Sequence, residues 1–111
     1  MRILAVVLLL MAAVPLAAAV QTWSHVTLVD AMCGASIKAN PDAHTTECCL
    51  HCGLQGMGLL TADGTFLKFD EAGSKQALAV LKSTKKKDHL RATVVGERSG
   101  DTIKVQSVRL D

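Results

Sequence analysis

The sequence contains no tyrosine, and its three aromatic residues (Trp23, Phe66 and Phe69) are too few for a platform on which nucleic-acid bases stack. It also lacks an excess of either charge: 12 Lys and Arg face 10 Asp and Glu, for a net charge of +2. Such a balance excludes electrostatic capture of DNA, RNA or an anionic membrane. Low-complexity linkers and internal repeats are missing as well. Half of the 111 residues are apolar and one fifth are charged, which excludes disorder for most of the chain. The length leaves no room for a catalytic domain beside a regulatory one. No Ser/His/Asp arrangement, no P-loop for a nucleotide and no carboxylate pair of arguable geometry occurs, so the chain reads as a binding protein rather than an enzyme.

The N-terminus carries Met1-Arg2, an apolar run from Ile3 to Val14, and then Pro15-Leu16-Ala17-Ala18-Ala19. A positive start, a short apolar stretch and a small-x-small end predict a secretory signal over residues 1–19, cut after Ala19. An uncleaved anchor is the alternative, because Ile3 to Val20 is just long enough to span a bilayer. The small residues at 17 and 19 favour cleavage, and no cysteine follows the run to take a lipid. The expected product is a periplasmic or extracellular domain, residues 20–111, without membrane contact and without Arg2. Its cysteines would then sit outside the reducing cytoplasm.

In that domain the hydrophobic pattern predicts a strand over Trp23–Val29 and an insertion helix of about three turns, roughly 42–54, capped by Asp42. A hairpin of Met57–Thr61 and Thr65–Phe69 follows, joined by Ala62-Asp63-Gly64, with Leu59 and Phe66 pointing inward. Glu71–Thr84 is a second helix, with Ala72, Leu78, Ala79 and Leu81 on its apolar face. Lys85-Lys86-Lys87 then reads as a solvated helix end whose cations face the negative pole of the dipole, with a binding patch as the minor reading. Leu90–Glu97 and Thr102–Leu110 complete the set, joined by a turn at Arg98-Ser99-Gly100-Asp101. The order β-(α)-β-β-α-β-β is that of a small, mainly β, five-stranded OB-like barrel with two helices. A plain α+β sandwich is the rival.

Chemistry concentrates in one segment. All four cysteines and two of the four histidines lie between Cys33 and Cys52. On a helix turning about 100° per residue, His44, Cys48, Cys52 and His51 share one arc, Leu50 and Leu54 share the core side, and Cys49 falls at the margin. With Cys33 brought in from the end of the first strand, Cys33, His44, Cys48 and Cys52 form a candidate tetrahedral site for zinc or copper, with His51 and Cys49 as extras. Disulfides among Cys33, Cys48, Cys49 and Cys52 are the competing reading for an exported chain. They would leave a stapled domain that binds an envelope or extracellular partner. Cys49-Leu50-His51-Cys52 also has the C-x-x-C form of thiol redox proteins, but its first thiol is expected mid-helix and no proline follows it. Covalent haem needs a histidine after Cys52, where Gly53 stands, so haem is excluded. Asp30 either orients a ligand or ends its strand, and His25 and His89 read as surface residues.

The run Val29-Asp30-Ala31-Met32-Cys33-Gly34, the pattern His44-x₃-Cys48-x₃-Cys52, the hairpin around Asp63-Gly64 and Gly100-Asp101-Thr102-Ile103-Lys104-Val105 together resemble small exported bacterial proteins of uncharacterised function. In that family a signal peptide precedes an OB-like domain. The resemblance covers most of residues 20–111 and implies export and fold, with no activity to carry over.

Overall fold

The computed structural model describes residues 19–111; the signal segment assigned to residues 1–19 lies, except for Ala19, outside them. Among the described residues no helix is long and apolar enough to cross a membrane. The elements are β1 (Val20–Asp30), α1 (Thr46–Cys52), β2 (Met57–Leu60), β3 (Phe66–Phe69), α2 (Glu71–Ser83), β4 (Arg91–Ser99) and β5 (Thr102–Leu110).

The strands close into a barrel in the order β1-β2-β3-β5-β4. Neighbouring pairs are antiparallel except β3 with β5, which run parallel where Lys68 meets Thr102 and Phe69 meets Ile103. This is the OB-like arrangement, with α2 between the third and fourth strands, and closure decides against the open sandwich. It also leaves no free sheet edge. Leu28, Leu59, Leu67, Leu90, Val94 and Ile103 are each fully buried in the interior.

Two bulges explain why the outer strands alternate imperfectly. The β1–β4 register shifts between Trp23 and Val26, where His25 takes a left-handed φ of 54°. One extra residue lets Trp23 and Val26 both face the core. In β5, Ser107 pairs with Val95 and Val105 with Gly96, so Gln106 is the extra residue. Ile103 and Val105 before it, and Val108 and Leu110 after it, therefore all pack inward.

Three expectations change. In β3 the inward residues are Leu67 and Phe69; Phe66 is half-buried and lies over Gly58, where a Cβ would come within 2.6 Å of its ring. The buried face of α2 is Gly73, Ala77 and Leu81, while Ala72 and Ala79 are exposed. Finally, α2 stops at Ser83, and Thr84 is already extended (φ −80°, ψ 152°). Of the lysines, only Lys82 sits in its last turn.

Candidate metal centre

Asp30 is the last residue of β1 and is completely buried. Both of its oxygens are engaged. Oδ2 accepts from the Cys33 N–H at 3.0 Å, closing a short turn of the kind Asp side chains form three residues ahead. Oδ1 lies 2.7 Å from Nε2 of His44. A carboxylate only accepts, so Nε2 is the donor in this contact.

His44 reaches Asp30 from outside a helix. The expected three-turn helix is broken: Pro41–Ala43 forms a single 3₁₀ turn, and His44 is extended (φ −70°, ψ 131°). Thr45, not Asp42, caps α1 by accepting from the Cys48 N–H at 3.1 Å. Asp42 instead receives Arg91 Nε at 2.8 Å and Nη2 at 3.1 Å, which ties the insertion to β4. Thr46 holds the other flank through its N–H to the Lys87 carbonyl (2.8 Å) and its hydroxyl to the Lys86 carbonyl (2.6 Å).

Within this frame one donor atom each from Asp30, Cys33, His44 and Cys48 lies within 4.8 Å of all the others. Cys52, one turn beyond Cys48, is not in that group. Cys33, Cys48 and Cys52 are half-buried. The two extras fall elsewhere: His51 is exposed, and Cys49 is fully buried among the core side chains. Leu50 packs against the core as expected, whereas Leu54 is 89% exposed because the helix has ended before it. No disulfide is formed; all four cysteines are free thiols. His25 pairs with Asp111 and His89 with Asp88 at the surface.

The electrostatics are one-sided. Burial, followed by the Asp30 charge, pushes the Cys33 thiol up to about 11 and the Cys49 thiol up to about 12. Cys52 is raised by the same two causes and then by Cys48. Among the described residues no lysine or arginine is paired with Asp30. Thiols and a carboxylate thus crowd together without a fixed cation. A metal ion bound here would supply that charge and displace thiol protons. The same surroundings oppose thiol redox catalysis, which needs an accessible thiol of lowered pKa; Cys49 has neither property.

Asp30 ends β1, one of the two roles its place in the sequence offered, and its carboxylate is hydrogen-bonded to His44. The Asp-x-x-Cys spacing was the available signal. Compared with protein-family models, curated proteins and solved structures, the chain finds no match.

Proposed function

We propose that this chain is a small exported binding protein that holds a soft metal ion, Zn²⁺ in preference to copper. The ligands are Cys33, His44 and Cys48, joined by Cys52 from the next turn of α1. Asp30 stands behind His44 in the carboxylate–histidine arrangement that fixes ring orientation and raises ligand basicity. The observation that carries this reading is the convergence of Asp30, Cys33, His44 and Cys48 within 4.8 Å, assembled from the end of β1, the extended residue before α1 and α1 itself. Three thiolates with an imidazole suit Zn²⁺; Cu⁺ would draw mainly on the thiolates. Export is supported by the charged, apolar and small-residue pattern of residues 1–19 and by the resemblance to exported bacterial proteins.

Cobalt titration of the reduced, metal-free protein tests the reading, because tetrahedral Co²⁺ reports its thiolate ligands by charge-transfer absorption. One equivalent should saturate the signal, and Zn²⁺ should abolish it by displacement. Cys33→Ser and Cys48→Ser should lose it, while Cys49→Ser should retain it. A protein isolated with its cysteines already paired, lighter by two hydrogens per pair and binding no cation, would sink the proposal in favour of a disulfide-stapled domain.

A further inference from the structure

Lys85, Lys86 and Lys87 lie beyond the end of α2 at Ser83, so the helix dipole, whose effect fades outside the last turn, does not account for them. Their segment is instead drawn against α1 by the two Thr46 hydrogen bonds to the carbonyls of Lys86 and Lys87. Between α1 and this segment runs an open groove of about 560 Å³. Half-buried Leu50 contributes the apolar wall, over a base closed by the buried Leu81, and Lys82, Lys85, Lys86 and Lys87 stand at the rim against a single acidic residue, Glu47. Those four side chains are exposed. Among the described residues no salt bridge engages Lys82, Lys85 or Lys87, and Lys86 reaches only the Asp111 main-chain oxygen. No Asp or Glu occurs in the sequence between Glu71 and Asp88.

We infer that this groove docks an acidic segment of a partner protein, one that places an apolar side chain against Leu50 and carboxylates against the lysine rim. Charge complementarity selects the partner. The apolar wall distinguishes it from a simple polyanion, which would leave Leu50 wet and gain nothing from it. Lysines without an arginine fork or a neighbouring aromatic also offer point charges rather than the planar recognition suited to phosphate and bases. The inference is independent of the metal reading, although α1 serves both: Leu50 faces the groove and Cys48 and Cys52 belong to the thiol cluster.

A fluorescein-labelled peptide of glutamates around one central leucine, titrated into the full protein by anisotropy, provides the test. Saturable binding is expected at low salt and should weaken steeply as salt shortens the Debye length to about 8 Å. The double variant Lys85→Glu/Lys87→Glu should bind about tenfold or more weakly. Lys38→Glu, an exposed lysine elsewhere, should bind like the wild type. Four outcomes would overturn the inference. They are absence of binding, equal loss in Lys38→Glu, indifference to replacing the central leucine with serine, and tighter binding of phosphatidylglycerol vesicles or polyphosphate at the same lysines.

Discussion

Cys48 and Cys49 are adjacent and chemically identical, yet they belong to different parts of the molecule. Cys48 is half-buried in the cluster, whereas Cys49 is fully buried among Leu28, Met57 and their neighbours. Its thiol is pushed up to about 12 by burial and by the Asp30 charge. Cys49→Ser should therefore destabilise the fold by about 1–3 kcal/mol, the cost of a hydroxyl without a partner in an apolar site. In the folded, metal-free protein iodoacetamide should reach Cys33, Cys48 and Cys52 but leave Cys49 unmodified until denaturant is added. Labelling of Cys49 at the rate of Cys48 would contradict its burial. A helical wheel placed Cys49 only at the margin between thiol and leucine faces, because spacing along a helix does not reveal which neighbour covers a borderline position. The same wheel joined His44 to Cys48 for the wrong reason: the two meet because His44 is extended and pinned by Asp30.

Where the insertion breaks is decided by competition between caps. Asp42 follows Pro41 and looks like a helix start, but its carboxylate is taken by the two Arg91 nitrogens, and its backbone carbonyl accepts from the His89 N–H at 3.0 Å. Thr45 is left to cap α1. Nothing local in the sequence announces a partner 49 residues away, which is why the existence of the helix was legible and its first turn was not. Arg91 holds the Asp42 carboxyl below its ordinary value of 3.8. A carboxylate whose folded pKa is depressed contributes stability above its unfolded pKa and loses it as pH falls through the folded one. Because the pair is partly exposed, solvent screening limits it, and Asp42→Asn should cost less than about 1 kcal/mol at neutral pH. Denaturant melts at stepped pH should show that difference closing from the ordinary 3.8 downward. A difference independent of pH would mean that Asp42 acts through geometry alone.

At the scale of the whole molecule, strand order and the position of α2 were legible because a five-strand pattern with one helix between the third and fourth strands has few compact closures. The bulges were not. A single extra residue at His25 or Gln106 moves every later side chain to the opposite face, and only the register with a partner strand reveals it. Closure also sets where the thiol cluster stands. Asp30 and Cys33 continue β1, which is hydrogen-bonded to both β2 and β4, while His44 and Cys48 belong to an insertion that sends Cys49 into the core. A metal ion at the cluster would therefore crosslink the barrel wall to the segment that covers it, and would favour the folded state, in which the donors are already gathered. Zn²⁺ at a hundredfold excess over its dissociation constant should stabilise the protein by about 2.7 kcal/mol. In a domain of this size that corresponds to a rise of about 10–20 °C in Tm. Scanning calorimetry of the reduced protein with and without Zn²⁺ reads this directly. The rise should vanish in Cys33→Ser, which removes a donor, and persist in Asp42→Asn, which loosens the insertion without touching one. An equal rise in Cys33→Ser would place the cation elsewhere on the surface, and no rise in the wild type would leave the cluster as a network of buried hydrogen bonds.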